Sequence, residues 1–277
     1  MTIQWYPGHI AKAERTLKEQ LKRVDVVLEV RDARIPLATH HPQVSEWVSG
    51  KTRLLVINRL DMIPPHLREQ WQRWFEEREE TPYFTNAQKG QGVEAVVKAT
   101  RQAGDKVNEK RRTRGMLPRP VRAVVIGFPN VGKSALINRL LKRRVVESAR
   151  RAGVTRKLQW VRISNQIELL DAPGVIPSRI ENQEDALKLA ICEDIGEAAY
   201  DNQRVAAGMV ELFADLELQD KLHDRYSVDV GSQTGESYLQ SLADDRYQGD
   251  RERAARQLLN DFRKGLLGAI ALEVPPD

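Results

Sequence analysis

Two short motifs, each placed where an apolar strand pattern ends, constrain the fold of this chain more than any other feature. The earlier one, Asn-Arg-Leu-Asp at residues 58–61, follows the apolar residues 54–57. The later one, Gly-Phe-Pro-Asn-Val-Gly-Lys-Ser at residues 127–134, follows the apolar residues 123–126. Because ligands of parallel sheets bind at the carboxyl ends of the strands, two segments far apart in the chain are predicted to face one site.

The later motif has the composition and context of a phosphate-binding loop. Its glycines let the backbone curl so that amides point at phosphate oxygens, and the helix that follows adds its dipole. Lys133 is expected to supply a charge to the β and γ oxygens, and Ser134 to ligate Mg²⁺. The residues expected to bind nucleotide here are Pro129, Asn130, Val131, Gly132, Lys133, Ser134 and Ala135.

The earlier motif favours guanine as the base. The Asp61 carboxylate can accept hydrogen bonds from guanine N1 and its exocyclic amine, which adenine cannot offer. Asn58 belongs to the same expected site, and Arg59 stands where Lys is usual; its planar guanidinium can still stack over a base. Residues 85–88 (Thr-Asn-Ala-Gln) follow a third strand pattern, and a backbone amide at Asn86 or Ala87 is expected to contact the guanine oxygen.

The order of the motifs implies a circular permutation, since the phosphate loop comes first in ordinary small GTPases. Strand patterns alternate with helical patterns, which predicts an α/β fold: a mostly parallel sheet covered by helices on both faces. Strands are predicted over residues 24–30, 54–57, 83–85, 123–126, 158–163 and 167–170, and helices over 11–23, 66–80, 92–103 and 134–141. Residues 105–120 are basic with little apolar periodicity and are interpreted as the joint between the two pieces.

Two further segments are expected to complete the phosphate site. Asp171-Ala-Pro-Gly174 ends an apolar strand downstream of the loop, where a Mg²⁺-associated carboxylate and a glycine amide that senses the γ-phosphate belong. Thr155 lies in the sequence between the phosphate loop and Asp171, and its hydroxyl is expected to bind the Mg²⁺ ion.

Charge divides the chain into two parts. Residues 1–180 contain 34 Lys and Arg against 18 Asp and Glu, whereas residues 181–277 contain 10 against 21. The first part is predicted to be the permuted GTPase domain, and the second a mostly helical acidic domain with helices over residues 186–200, 204–216 and 251–264. Basic clusters at residues 106–122 and 139–157 indicate a polyanion beyond the nucleotide, RNA being favoured, although a solvated basic surface is the alternative.

The remaining composition excludes several classes of protein. A single cysteine, Cys192, permits no disulfide within the chain and no zinc or iron-sulfur site built on thiolates. No apolar run is long enough for a membrane span, and no signal pattern is seen. A cytoplasmic protein with no membrane or DNA partner is expected.

With these motifs, the chain resembles the YlqF/RbgA-type family of circularly permuted GTPases. The resemblance also includes Trp-Tyr-Pro-Gly-His-Ile-Ala-Lys at residues 5–12, Asp-Ala-Arg-Ile-Pro at 32–36, and Asp-Phe-Arg-Lys-Gly-x-x-Gly at 261–268, and it covers nearly the whole chain. It implies GTP hydrolysis to GDP coupled to binding of a large ribosomal subunit precursor, with a helical C-terminal domain on ribosomal RNA. The acidity of residues 181–277 fits that last role poorly, so RNA contact is expected mainly through the basic face of the GTPase domain.

The resemblance also suggests catalytic groups. Many GTPases position water with a Gln just after Asp-x-x-Gly, but Val175 stands here, so another group must act. The resemblance points to His9, while a capping or structural role for His9 is equally open. It also implies that Asn130 binds K⁺ beside the phosphates, although Asn130 could simply stabilise the loop.

The leading interpretation is a GTPase with slow basal turnover, which binds a late large-subunit precursor as the GTP form and leaves after hydrolysis. The runner-up is a signalling or scaffold GTPase whose acidic helical domain binds a protein. A metabolic kinase is disfavoured by Asp61.

Overall fold

Six strands form one sheet, in the order β3-β2-β1-β4-β6-β5. The computed structural model describes residues 15, 17–141, 160–163, 166–171, 180, 182–196, 199–231 and 233–276. The strands are β1 (Val26–Asp32), β2 (Thr52–Asn58), β3 (Pro82–Thr85), β4 (Val121–Gly127), β5 (Trp160–Arg162) and β6 (Ile167–Asp171). Every neighbouring pair is parallel except β5 and β6. The predicted α/β architecture with a mostly parallel sheet is confirmed.

β1 joins the two pieces of the permuted domain. It pairs with β2 on one side, Asp32 lying opposite Asn58, and with β4 on the other, Val30 lying opposite Gly127. All seven residues of β1 are buried, as expected for a central strand covered on both faces. The register therefore brings the ends of β2 and β4, which carry the two motifs, to the same edge of the sheet.

Four helices accompany this sheet in the first part of the chain: α1 (Val44–Trp47), α2 (Pro65–Glu76), α3 (Val93–Thr113) and α4 (Lys133–Leu140). In addition, residues 17–21 are helical, and a short 3-10 helix spans Leu60–Met62. α2 begins with proline at its first position, where the missing N–H costs nothing.

The prediction that α3 ends at residue 103 was wrong. Its buried residues stop at Gly104, but the helix continues to Thr113 through a stretch that contains two Lys, two Arg and one Glu, which favour helix without needing a buried face. Gly115, in the left-handed region with φ 71°, then ends the turn. Much of the predicted joint is thus an exposed helical extension.

The second part of the chain contributes five helices: α5 (Gln183–Ile191), α6 (Asn202–Asp215), α7 (Gln219–Tyr226), α8 (Gly235–Arg246) and α9 (Arg251–Arg263). The side chains of Asn182, Asp201, Thr234 and Asp250 cap four of them. The helix predicted over 186–200 is wrong beyond residue 191, because Glu193 adopts φ 64° and turns the chain. α7 and α8 were not among the predicted helices.

The C-terminal helices share one apolar core with the sheet. A continuous cluster of buried side chains includes Val30 and Val125 of the sheet and Phe213 and Phe262 of the helices. The division at residues 180 and 181 stays a prediction. None of the helices in the described ranges is long and apolar enough to span a membrane.

Residues 272 and 273, near the end of the chain, pack against the loop that follows β1. The Glu273 carboxylate accepts from the Leu37 and Ala38 amides at 2.7 and 3.1 Å, and the Leu272 amide donates to the Arg34 carbonyl at 2.9 Å. Burial raises the pKa of Glu273 to about 7, although the two amides and Lys188 oppose the shift. The loop after β1 is thus held by the C-terminal end of the described chain.

Candidate nucleotide-binding site

The phosphate loop connects β4 to α4 through three residues with positive φ, namely Gly127 (150°), Asn130 (58°) and Gly132 (101°). A Cβ at Gly127 would lie 2.3 Å from the Val30 carbonyl oxygen, and one at Gly132 would lie 2.1 Å from Asn58 Nδ2. Both positions therefore require glycine for space as well as for backbone conformation.

The side chain of Lys133 lies against this loop. Its Nζ donates to the Phe128 carbonyl at 2.6 Å, and the residue is buried. Lys133 is the first residue of α4, and Ser134 and Ala135, both partly buried, follow in its first turn. Val131 is fully buried, and its amide donates to the Pro129 carbonyl at 2.8 Å. Backbone amides, an ammonium group and a hydroxyl thus converge at one helix start, the arrangement that binds phosphates.

The Asn58 side chain connects three motifs. Its Nδ2 donates to the Val131 carbonyl at 2.8 Å, and its Oδ1 accepts from Thr85 Oγ1 at 3.1 Å and from the Ala87 amide at 3.0 Å. All three bonds are buried, where leaving such groups unpaired costs about 1 to 3 kcal/mol each. Asn58 therefore sets the position of the segments predicted to read the base relative to the phosphate loop.

Arg59 adds a second connection between the motifs. It adopts φ 67°, its Nη2 donates to the Asn130 carbonyl at 2.6 Å, and its Nε lies 3.2 Å from Asp32 Oδ2. The guanidinium thus spans from β1 to the phosphate loop, a role that the sequence did not suggest. Its stacking over a base stays a prediction.

Asp61 lies on the short helix Leu60–Met62 just beyond Arg59, and it is exposed. Within the described ranges its carboxylate makes no hydrogen bond or ion pair, so it is available to a ligand. Its identification as the group that reads guanine stays a prediction.

The segment after β3 lies beside Asn58. The Ala87 amide, expected to contact a guanine oxygen, donates to Asn58 in this structure, and the buried Asn86 accepts from the Lys89 amide at 3.0 Å through its Oδ1. This segment supports the Asn58 bridge, and its contact with a base is still a prediction.

A segment of the C-terminal helical region also reaches the phosphate loop, which sequence reasoning missed. Asn130 Nδ2 donates to the Glu193 carbonyl at 2.7 Å, and Arg34 Nη2 donates to the Cys192 carbonyl at 3.3 Å. The sequence analysis gave no hint of it, because it included residues 192–196 in the helix predicted over 186–200. The Asn130 amide, proposed for K⁺, is thus oriented by this segment.

A buried charge cluster lies beneath these contacts. Asp32 and Arg34 form a fully buried ion pair at 2.8 Å. Burial alone would raise the pKa of Asp32, but Arg34 and then Arg59 outweigh it and hold the pKa low. The neighbouring Asp194 is fully buried, and neither of its carboxylate oxygens has a hydrogen-bond partner. Burial and then the charge of Asp32 raise the pKa of Asp194 well above its ordinary value, despite Arg59, Arg34 and Lys133.

Several predicted site residues lie outside the described ranges, namely His9, Thr155 and Gly174. Asp171 is described as the last residue of β6, opposite Val125 of β4, so its backbone lies near the start of the phosphate loop. Serine and aspartate carry hard oxygen atoms of the kind that Mg²⁺ prefers, so the residue types at positions 134 and 171 fit the metal, and their role as its ligands stays a prediction. No cluster of three His, Cys, Asp or Glu side chains is found in the described part of the chain.

Comparison with known proteins agrees with this geometry. The family model described as 50S ribosome-binding GTPase matches residues 122–222. Ribosome biogenesis GTPase A of Bacillus cereus is 34% identical over 100% of this chain and 95% of its own length. Mitochondrial ribosome-associated GTPase 1 of Mus musculus is 32% identical over 98% of this chain and 90% of its own. The family model begins just before the phosphate loop, so the Asn-Arg-Leu-Asp motif at residues 58–61 lies outside it, as a permutation predicts.

The solved structures show the same fold. The crystal structure of GNP-bound YlqF from T. maritima has a TM-score of 0.67, is 24% identical, and covers 96% of this chain and 99% of its own. Its GDP-bound structure has a TM-score of 0.68 over 95% of this chain. The likeness therefore includes both the sheet and the C-terminal helices.

Replacement of Asn58 tests whether its side chain holds the site together. Asn58→Ala leaves the Val131 carbonyl and the Ala87 amide unpaired, so we expect a loss of about 1 to 3 kcal/mol in the free energy of unfolding. GTP affinity should fall as well. Thr85→Val removes only one of the three bonds and should lie between wild type and Asn58→Ala in urea unfolding and calorimetry. Equal behaviour of Asn58→Ala and wild type would contradict the bridge.

Asp194 predicts a dependence of stability on pH. Because the pKa of Asp194 is raised in the folded protein, proton binding by this carboxyl stabilises the folded state. That stabilisation is fully present below the unfolded pKa near 3.9 and is lost as pH rises towards the folded pKa. Asp194→Asn lacks this loss, so its stability relative to wild type should increase as the pH rises through that window. The comparison requires urea unfolding at pH 5 and pH 8.

The exposed Asp229→Asn provides the control for a carboxyl in solvent. If the difference between Asp194→Asn and wild type is the same at both pH values, the buried carboxyl is not held protonated.

Proposed function

This chain belongs to the ribosome biogenesis GTPase A family, and from that premise we propose its role in the cell. It is a GTPase of ribosome biogenesis. In our proposal it assists a late step in assembly of the large subunit, binding the precursor in the GTP form and leaving after hydrolysis to GDP. The observation that best supports nucleotide binding is the Asn58 bridge, which joins the motif predicted to read guanine to the phosphate loop.

Guanine selection is assigned to Asp61. Its exposed carboxylate faces no competing partner within the described ranges, and Arg59 just before it is tied to the Asn130 carbonyl of the phosphate loop. A base bound beside Asp61 would thus lie close to Arg59, and Arg59 is hydrogen-bonded to the loop proposed to hold the phosphates.

Hydrolysis requires charge stabilisation and an oriented water. Mg²⁺, when bound, offsets negative charge on the phosphates, and Ser134, Asp171 and Thr155 are the residues proposed to hold it. Lys133 and the loop amides bind the β and γ phosphates, and the Gly174 amide is proposed to contact the γ-phosphate. Because Val175 cannot orient water by hydrogen bonding, we assign that task to His9.

We also propose that K⁺ binds at Asn130. The Asn130 Nδ2 is held by the Glu193 carbonyl, which leaves the amide oxygen of the same group as the candidate ligand. A cation there would offset charge that develops during phosphoryl transfer.

The proposed partners are a large-subunit precursor and its rRNA, in the cytoplasm. The excess of Lys and Arg in residues 1–180 supports a polyanion as partner, because phosphate contacts dominate nucleic-acid affinity. The alternative, a signalling or scaffold GTPase that acts through a protein partner, is not favoured, since the relatives are named for ribosome biogenesis or ribosome association.

A change of base specificity tests the role of Asp61. Asp61→Asn replaces an acceptor with an amide that can donate to the oxygen which xanthine carries in place of the guanine amine. We expect GTP affinity to fall by at least about a hundredfold and xanthosine triphosphate to bind better than GTP. Calorimetry with both nucleotides measures this, and Glu69→Gln in α2 is the control. Unchanged preference for GTP would remove Asp61 from base recognition.

Precursor binding tests the proposed cycle. Large-subunit precursors should co-sediment with the protein in the presence of a non-hydrolysable GTP analogue, and much less with GDP. The same particles should accelerate GTP turnover, and His9→Ala should reduce the accelerated rate while GTP affinity is unchanged. Equal association with both nucleotides would contradict the proposed cycle, whereas unchanged turnover of His9→Ala would exclude His9 alone.

A further inference from the structure

The segment that joins the two pieces of the permuted domain has a built structure. After α3 ends, the chain returns antiparallel to the helix, and Asn108 fixes it: its Nδ2 donates to the Arg119 carbonyl and its Oδ1 accepts from the Arg119 amide, both at 3.0 Å. Arg119 also forms an ion pair with Asp25 at 2.8 Å. The turn is therefore held in one conformation at its base.

A cavity of about 310 Å³ lies between α3 and this returning segment. Polar side chains dominate its lining, and among them is a single acid: Arg101, Asp105, Asn108, Arg112, Arg119 and Gln166. The four residues that α3 contributes to this set are spaced by three or four positions, so they form one stripe along the helix. Arg101 and Arg112 are about 16 Å apart along the axis.

Basic side chains outnumber acidic side chains in this region. Arg101, Lys106, Lys110, Arg112 and Arg114 form no ion pair within the described ranges, and all five are exposed. In contrast, Arg119 is paired with Asp25. At the tip of the turn, Leu117 is 83% exposed. This is a concentrated positive surface around a concave site, with an apolar side chain at its end.

The cavity is distinct from the nucleotide site. It includes Pro120, which directly precedes β4, whereas the phosphate loop begins at the other end of that strand. Seven residues of strand place the two about 20 Å apart. GTP bound at the phosphate loop therefore leaves this surface free.

We propose that the stripe formed by Arg101, Asn108 and Arg112, with the cavity beside it, binds the phosphodiester backbone of RNA. This inference rests on the proposed function and names the surface that carries it. Arginine forms forked hydrogen bonds with phosphate oxygens, and a row of cations along a helix matches a phosphate backbone. The concave shape admits the backbone, and Arg101 and Arg112 line it as the charged donors. In this proposal, the segment that joins the two pieces of the permuted domain also contacts RNA.

Charge neutralisation tests the proposal. The full-length protein is titrated into a fluorescent transcript of large-subunit rRNA, at several KCl concentrations, in the presence of a GTP analogue. For Arg101→Gln/Arg112→Gln we expect affinity about tenfold below wild type near 0.1 M salt, and a slope of log affinity against log salt reduced by about 2. Arg73→Gln/Arg204→Gln carries the same loss of charge at exposed sites elsewhere and should keep most of the wild-type affinity.

GTP affinity, measured by calorimetry, reports folding and should be the same in all three proteins. If both double variants lose affinity equally, binding depends on net charge and the assigned surface is wrong. If neither loses affinity, RNA binds elsewhere and the assignment is again wrong. If the wild-type protein does not bind RNA, the proposal that rRNA is a partner is itself wrong. That result is distinguishable from one in which only the assigned surface is wrong.

Discussion

The structure depends on one buried amide, the Asn58 side chain. It stands at the end of β2 and hydrogen-bonds to the Val131 carbonyl in the phosphate loop and to the Ala87 amide after β3. Gly132 must be glycine because its Cβ would collide with the same amide. Each polar group in this bridge is buried, so removing one partner leaves others unsatisfied, and the geometry is strongly specified. The motif that comes first in sequence thereby positions the loop that comes later.

β1 and the loop after it connect this site to the rest of the molecule. β1 pairs with a strand from each permuted piece, and the Asp32–Arg34 ion pair at its end contacts Arg59 on one side and the Cys192 carbonyl on the other. Glu273 holds the following residues. The Cys192 carbonyl and the C-terminal end of the described chain therefore contact the same loop from the helical region. The hydrogen bond between Asn130 and the Glu193 carbonyl also connects the phosphate loop to that region.

Sequence reasoning found the sheet and the convergence of motifs because local signals sufficed: apolar runs for strands, glycines at a loop, and an Asx residue after a strand. It failed where tertiary context decides. α3 was ended ten residues early, because its outer half has helix-forming residues without a buried face. Asp194 and Glu273 gave no local signal, since an isolated acid is ordinarily exposed. Arg59 was assigned to a base, and its contact with Asn130 depended on a loop distant in sequence.

The central claim is that the Asp61 carboxylate and the backbone amides of the phosphate loop, which lies later in the sequence, bind the same nucleotide. A crystal structure of this chain with a non-hydrolysable GTP analogue and Mg²⁺ tests it most directly. The account predicts that the Asp61 carboxylate lies about 2.7 to 3.2 Å from guanine N1 and the exocyclic amine while the phosphates contact the amides of residues 130–134. A guanine ring bound away from Asp61, with its phosphates still in the loop, would contradict the account.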